Sequence, residues 1–276
     1  MIWRCLKRAM DGFVESSIFM KINDGYSFRN SIEILERLGV MPVLTFDKDG
    51  LSIIRGNETR NSEPSVLVNV KIKSEKLTKY SFESSTNTVT IPLNATCLKK
   101  AATNIGRSHD LTLSKEPGKK LLEITCADGN KTSGVYGMVP MEDVIETKYE
   151  LSDSTNIKRI CVIETKKFSS ACTSCSSVGP GSLVIHAFPG RLRIQGRSTK
   201  GEVTYKIDLG EPPSPDDKEI ENYTVSIKTI KAMVKFQNLS LNGTVACYAE
   251  KDKPLKLELD VGHYGTMTIH IKSPIV

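Results

Sequence analysis

The chain has 276 residues, of which 39% are hydrophobic and 25% are charged, and its formal net charge is +6. This length and composition are typical of a globular protein with one large or two medium domains, each able to bury its own core. No apolar run approaches the roughly 20 residues that a membrane-spanning helix needs, so we expect no membrane partner.

Residues 1–16 are predicted to form an N-terminal extension. They include basic residues but no continuous apolar segment, which excludes a signal peptide and leaves open a short amphipathic helix or an irregular extension. The seven cysteines are odd in number and scattered along the chain. Without a secretory signal, this pattern predicts reduced, mostly buried thiols in an intracellular protein that is not secreted.

Much of the chain is predicted to be antiparallel β-sheet. Apolar and polar residues alternate in several segments, and this alternation is typical of strands with one buried and one solvated face. The turn residues Asp49-Gly50 and Pro189-Gly190 each separate two such segments, so each pair of segments is predicted to form a hairpin. The clearest alternating segments are residues 65–73, 182–188, 201–209, 255–261 and 266–272.

Four segments have helical character. In the first of them Phe28, Ile32, Leu35 and Leu38 recur near the helical period of 3.6 residues. The predicted helices span roughly residues 27–38, 94–105, 167–178 and 226–237.

The predicted elements occur twice in the same order. Four matching pairs are each 140 positions apart: Phe28 and Phe168, Gly39 and Gly179, Gly50 and Gly190, and Gly56 and Gly196. This repetition predicts an α+β fold of two similar domains, each with two helices packed on antiparallel sheets. The domains are predicted at residues 17–140 and 157–276, with an extended, acidic connector at 141–156 between them.

Basic residues are concentrated on the predicted helices. Lys228, Lys231 and Lys235 share one face of the fourth helix, whereas the third helix has no basic residue inside it. A row of lysines is either an ordinary solvated face or the footprint of phosphate binding. No aromatic residues interleave with it, which favours the backbone of a duplex over base stacking. The candidate DNA-binding residues are Arg29, Arg37, Lys99, Lys100, Arg107, Lys166, Lys167, Lys228, Lys231 and Lys235.

No catalytic motif stands out in the sequence. Cys172 and Cys175 form a CxxC without a second pair of metal ligands, and they lie inside a predicted helix, so we interpret them as packing residues. The four histidines are scattered, and we find no phosphate-binding loop or nucleophile motif. We therefore expect no enzymatic activity, no cofactor and no metal.

The order of elements resembles the DNA sliding clamps of the proliferating cell nuclear antigen family over about residues 17–276. The closest local matches are "GYSFRNSIEILERLG" at the first helix, "DKDGLSII" after it, "CLKKAA" in the second helix and the closing segment "KPLKLELDVGHYGTMTIHIKSPIV". The resemblance implies a head-to-tail ring of three identical subunits, with strands outside and helices lining the hole. Such a ring would encircle duplex DNA without reading its sequence and would tether a DNA polymerase as a processivity factor.

In this family, replication and repair proteins dock short peptide motifs in an apolar pocket beside the connector and the C-terminal tail, and a clamp loader can act on the ring. The resemblance places the pocket at Ile54, Val144, Ile145, Pro254, Ile271 and Pro274. It implies a nuclear protein, or one of a viral replication compartment.

Three features depart from the family pattern: the extension at residues 1–16, the third helix without internal basic residues, and a positive net charge where cellular clamps are generally acidic. A divergent clamp from a large DNA virus fits these departures. The alternatives are one subunit of a heterotrimeric checkpoint clamp, a monomeric or dimeric viral processivity factor, and an enzyme on a repeated α+β scaffold.

Overall fold

The structure is a computed structural model that describes residues 15–57, 65–129, 131–138, 157–177, 183–197, 204–239 and 243–272. Nearly all of the N-terminal extension, the predicted connector at 141–156 and Gly179 lie outside these ranges. Among the helices within them, none is long and apolar enough to cross a membrane.

The elements of the first half follow the predicted order. They are β1 (Ser17–Ile22), α1 (Gly25–Leu38), β2 (Val43–Asp47), β3 (Gly50–Gly56), β4 (Val66–Lys73), β5 (Lys79–Glu83), β6 (Thr88–Pro92), α2 (Ala95–Ala102), β7 (Asp110–Lys115), β8 (Leu122–Asp128) and β9 (Lys131–Met138), with a 3₁₀ turn at Ser74–Lys76.

The second half, β10 to β17, repeats this order except that no described strand corresponds to β5. Its elements are β10 (Arg159–Glu164), α3 (Thr165–Ser176), β11 (Leu183–Phe188), β12 (Arg191–Arg197), β13 (Thr204–Gly210), β14 (Glu221–Val225), α4 (Ile227–Met233), β15 (Thr244–Tyr248), β16 (Leu255–Val261) and β17 (Gly265–Ile271), and a 3₁₀ segment at Val234–Asn238 continues α4. The four helices and the antiparallel sheets confirm the predicted α+β class.

The described strands form three sheets. The first has the order β5-β1-β7-β8-β9 and belongs to the first half, and the third has the order β13-β12-β11-β14 and belongs to the second half. The middle sheet has eight strands in the order β10-β15-β16-β17-β4-β3-β2-β6, so it combines strands from both halves. The two halves therefore share one continuous sheet.

The repeat spacing of 140 residues holds for the first helix of each half but changes at the hairpin. Phe28 and Phe168 are both buried in equivalent helices. In the hairpins, however, Gly50 is the first residue of β3, whereas Gly190 lies in the two-residue turn before β12. The hairpins are offset by one further residue, so Leu44 corresponds to Ile185, and the equivalence predicted for Gly50 and Gly190 is wrong. Because a shift of one residue exchanges the two faces of a strand, burial rather than glycine spacing identifies equivalent positions.

The joint between the halves is the pairing of β4 with β17. Seven residues of each strand face one another, from Val66 opposite Ile271 to Ile72 opposite Gly265. Beside the joint, the phenol of Tyr264 donates a hydrogen bond of 3.0 Å to the carbonyl oxygen of Asp24, which caps α1. The joint thus fixes the first helix of one half against the closing turn of the other.

The helices of the second half are held together by an aromatic pair. Phe168 of α3 and Phe236 after α4 are fully buried and stack with their ring centroids 5.7 Å apart. The hydroxyl of Ser169 accepts a hydrogen bond of 3.3 Å from the backbone N–H of Gln237. These contacts fix α4 and its 3₁₀ extension against α3.

His270 is a buried titratable group at the joint. It lies opposite Leu67 of β4 and Lys256 of β16, is only 5% exposed, and its Nδ1 has no hydrogen-bond partner among the described residues. Burial lowers the pKa of His270 to about 4, the ammonium of Lys256 acts in the same direction, and Glu258 acts in the opposite one. The ring is therefore neutral in the folded protein at neutral pH.

We predict that His270 makes stability fall in mild acid. The pKa of His270 is lower in the folded than in the unfolded chain, so the unfolded state takes up the proton first as the pH falls. The free energy of unfolding should therefore decrease by up to about 3 kcal/mol between about pH 6.5 and pH 4. Denaturant unfolding of the wild type, His270→Leu and the exposed control His263→Leu over this range tests the prediction. Parallel pH profiles for wild type and His270→Leu would contradict it.

We also predict that Phe236→Ala lowers the free energy of unfolding by about 3 to 5 kcal/mol, since it leaves a cavity beside Phe168. Phe19 of β1 is a suitable control because its ring is only partly buried. Guanidinium unfolding should show a much smaller loss for Phe19→Ala, and equal losses would mean that the aromatic pair contributes little.

Candidate nucleic-acid interface

The four helices form one row across both halves. α2 packs against α1, α1 against α4, and α4 against α3. Asn30 donates a hydrogen bond of 3.1 Å to the carbonyl of Asn238, and Lys228 Nζ lies beside Gly39 at the other end of α1, so α1 and α4 are antiparallel. The row therefore crosses the joint that the central sheet makes.

Local sequence sets where these helices begin and end. Asp24, Asn94 and Ser226 precede α1, α2 and α4, and the side chain of each accepts a hydrogen bond from a backbone N–H of the first turn. Gly39 ends α1 in a left-handed conformation with φ of 73°, which favours glycine. Apolar residues on one side of each helix are buried against the sheets, which leaves the polar side outward.

Positive charge is concentrated in this row. The four helices and the 3₁₀ segment after α4 contain nine lysines and arginines but only two acidic residues, Glu33 and Glu36. The whole chain has a net charge of +6, so the remainder of the chain is close to neutral. We call the outward side of these helices the helix face.

Four of the predicted DNA-binding residues are exposed on the helix face, and within the described residues they form no ion pair. They are Lys100 of α2, Lys166 of α3, and Lys228 and Lys231 of α4. Their ammonium groups are free to contact an anionic partner.

Three further predicted residues are held by carboxylates of α1. Glu33 Oε1 lies 3.0 Å from Arg37 Nη2 and 3.1 Å from Lys235 Nζ, and Glu36 Oε1 lies 3.1 Å from Lys99 Nζ. Burial raises the pKa of Glu33, but the hydrogen bonds from Lys235 and Arg37 outweigh it and hold this pKa below its usual value. Glu33 is therefore ionised at neutral pH, and its partners are already paired.

Arg29 and Arg107 are restrained by Tyr26. Their guanidinium carbons lie 5.9 and 5.4 Å from the centroid of the Tyr26 ring, a cation–π geometry, and Arg29 Nη1 also donates a hydrogen bond of 2.9 Å to the carbonyl of Ile105. These two arginines are therefore positioned by neighbouring groups at the α1–α2 end of the row.

Helix α3 begins earlier than the sequence indicated. Because it starts at Thr165, Lys166 and Lys167 lie in its first turn, and the prediction that the third helix has no basic residue inside it is wrong. Cations are disfavoured at a helix N-terminus, but Glu164 pairs with Lys167 at 2.9 Å. The rest of α3 carries no charge, as predicted.

Of the three predicted peptide-pocket residues that the structure describes, two lie on one face of the central sheet and the third on the other. Ile54 is partly exposed on the outer face of the central sheet, and Pro254 is partly exposed just before β16. Ile271 instead lies on the opposite face, in the core, and is 2% exposed. Val144, Ile145 and Pro274 lie outside the described residues.

The CxxC pair behaves as packing residues, as predicted. Cys172 and Cys175 belong to the hydrophobic core, and burial raises the pKa of both thiols, which keeps them protonated and unreactive. Within the described ranges no group of three or more His, Cys, Asp or Glu side chains is arranged to hold a metal ion.

Solved structures share this fold. The chain is similar to a subunit in the crystal structure of the PCNA2–PCNA3 complex from Sulfolobus tokodaii, with 17% identity, a TM-score of 0.73, and coverage of 92% of this chain and 98% of that one. It is equally similar to Proliferating Cellular Nuclear Antigen from Entamoeba histolytica, with 15% identity, a TM-score of 0.73, and coverage of 94% and 99%.

No protein-family model matches the chain, and no curated protein matches it by sequence. At these identities the likeness establishes the fold and leaves the activity to be argued from the residues. The resemblance predicted from the sequence is confirmed at that level: the chain has the fold of the sliding clamps of the proliferating cell nuclear antigen type.

Proposed function

We propose that the chain is a sliding clamp: it encircles duplex DNA through phosphate contacts, tethers a DNA polymerase as a processivity factor, and catalyses no reaction of its own. The observation that carries this proposal is the charge of the helix face, where nine basic residues and two acidic ones are gathered in a chain whose remainder is close to neutral. A duplex backbone is the anionic partner that such an extended surface fits.

The chemistry of the helix face fits sliding rather than tight binding. Exposed lysines make phosphate contacts that exchange readily and are screened by salt. Such contacts do not depend on the base sequence of the DNA. The ring of Tyr26 is engaged by the guanidinium groups of Arg29 and Arg107 and is not a stacking platform for bases. A closed ring would retain the protein on DNA while the individual contacts break and re-form.

The internal joint supports a ring made of identical copies. It pairs β4, the strand after the first hairpin, with β17, the last strand of the second half. Their repeat equivalents are β13 and β9, and each of these is an edge strand of its sheet. When β13 of one copy pairs with β9 of the next, the same joint forms between subunits, head to tail, and the arrangement closes by rotation.

The equivalent positions across this proposed joint can be identified. Val68 of β4 lies opposite Ile269 and is fully buried, whereas Tyr205, its equivalent on β13, is 48% exposed. Ile269 of β17 faces Leu257 of β16, and Tyr136 of β9 faces Ile124 at the same position of the β8–β9 hairpin. Tyr136 is therefore the equivalent of Ile269. The ring therefore places Tyr205 of one copy opposite Tyr136 of the next.

We propose three copies per ring, as in the clamps that the sequence resembles. A ring of different clamp chains is the second candidate, because one similar structure is a complex of two clamp chains, PCNA2 and PCNA3. A monomeric factor would leave the edges of β9 and β13 and the aromatic side chain of Tyr205 uncovered, and a dimer joined by a single pairing would leave one edge of each kind uncovered, which disfavours both.

Polymerase and other replication or repair proteins are proposed to dock peptides on the outer face of the central sheet near Ile54 and Pro254. There, the partly exposed side chains of Ile54 and Pro254 offer an apolar surface to such a peptide. A clamp loader would act on the ring in the nucleus or in a viral replication compartment.

We predict that replacing Lys100, Lys228 and Lys231 by Gln weakens association with duplex DNA and shortens the product lengths of a tethered polymerase while the fold stays intact. Loss of three phosphate contacts should reduce the salt slope of binding by up to about 3. Anisotropy with a 30-base-pair duplex at 25–200 mM salt measures the affinity and its salt slope, and primer extension measures the product lengths. The control replaces Lys120, Lys218 and Lys251, which are exposed outside the helices. Equal binding by both triple variants would place the DNA elsewhere.

We predict that the wild type has three times the 30.5-kDa chain mass in light scattering, and that Tyr205→Ala shifts it toward the monomer. Val162→Ala is the matched control, because Val162 is a comparably exposed apolar residue, 47% exposed, on β10. A monomeric wild type at micromolar concentration would contradict the homotrimer, and trimerisation only with other clamp chains would favour the heteromeric ring.

A further inference from the structure

The acidic residues of the helix face occupy special positions. Glu33 and Glu36 are the only acidic residues in the four helices and the 3₁₀ segment, and both side chains are directed at basic residues of neighbouring helices. Glu33 lies between Arg37 and Lys235, across the joint between the halves, and Glu36 holds Lys99 of α2. Two carboxylates thus engage three of the nine basic side chains.

We propose that Glu33 and Glu36 are internal counter-ions that limit the affinity of the helix face for duplex DNA. This inference rests on the proposed function and specifies how strongly that surface binds. The paired side chains Arg37, Lys99 and Lys235 are held by carboxylates at about 3 Å, while Lys100, Lys228 and Lys231 make the phosphate contacts.

The charges of Glu33 and Glu36 both oppose DNA binding. A carboxylate on this surface repels phosphate and also neutralises the cation that it pairs with, so each glutamate opposes binding twice. The ionised state of Glu33 is secured by its two partners, which lower its pKa, so the effect persists throughout the neutral range. A weakly held duplex moves freely through the ring, because each contact breaks with little cost.

A purely structural role makes a different prediction. If these ion pairs served only to join α1 to α2 and α4, their loss would alter stability and leave DNA binding unchanged. These ion pairs are partly buried, with 17–42% of each side chain exposed, so their loss should lower stability, although the hydrogen bond from Asn30 to Asn238 still joins α1 to α4. The two roles therefore separate in a binding experiment accompanied by thermal unfolding.

The test compares Glu33→Gln/Glu36→Gln with a control of the same charge change, Glu116→Gln/Glu250→Gln. Glu116 and Glu250 also pair with lysines, at 2.8 and 3.0 Å, but in loops between strands. We expect the helix-face variant to bind a 30-base-pair duplex at least about tenfold more tightly at 50 mM salt, with a salt slope steeper by about 2 to 3. We expect the control, with the same gain in net charge, to change affinity by less than about threefold.

A double-mutant cycle sharpens the assignment to particular side chains. In the wild type, Lys231→Gln should weaken binding more than Lys235→Gln, because Lys235 is held by Glu33. In the Glu33→Gln background the two lysine changes should have equal effects. Glu36→Gln alone, which frees only Lys99, serves as the second variant if the double variant unfolds.

The outcomes distinguish this inference from the function on which it rests. A wild type that binds duplex no better than the variant lacking Lys100, Lys228 and Lys231 overturns the proposed function. A wild type that binds with the expected salt dependence, together with a Glu33/Glu36 variant that binds no tighter than its charge-matched control, overturns the counter-ion role alone.

Discussion

The seven residue pairs between β4 and β17 join two segments about 200 positions apart into one eight-stranded sheet. Because these strands are fixed, α1 of the first half meets α4 of the second, and the helices become a continuous row. The same pairing uses one edge of each half, while β9 and β13, the repeat equivalents of the joined strands, remain edge strands of their own sheets. The joint therefore decides the surface that the helices present, and it is the model for the proposed joint between copies.

The helix face depends on this joint for its charge distribution as well as its shape. Glu33 reaches Lys235 only because α1 and α4 are antiparallel neighbours, and Lys228 lies near the C-terminal end of α1 for the same reason. A surface that looks uniformly basic in sequence thus separates into free lysines at Lys100, Lys166, Lys228 and Lys231 and neutralised cations at Arg37, Lys99 and Lys235. Weak binding to a polyanion is a natural property of such a surface, because part of its charge is already satisfied.

Much of the fold could be predicted because its determinants are local and periodic. Alternation identified the strands around β4, β11, β16 and β17, and the 3.6-residue period identified α1. The predicted internal register failed at the hairpins because Gly50 and Gly190 serve different turn positions, a distinction that depends on pairing between strands. The peptide pocket stays a prediction, and Ile54 and Ile271 face opposite sides of the central sheet because a sequence match does not reveal the face of a strand.

The sequence by itself determined the α+β class, the duplication, the four helices and their basic character, because propensity, capping and period act within a few residues of one another. Only the tertiary structure decided which basic residues are free, which strand edges remain open, and that Tyr205 is exposed where Val68 is buried. These properties depend on contacts between segments far apart in the chain, such as Glu33 with Lys235 and β4 with β17, and such contacts are set by packing in three dimensions rather than by local pattern.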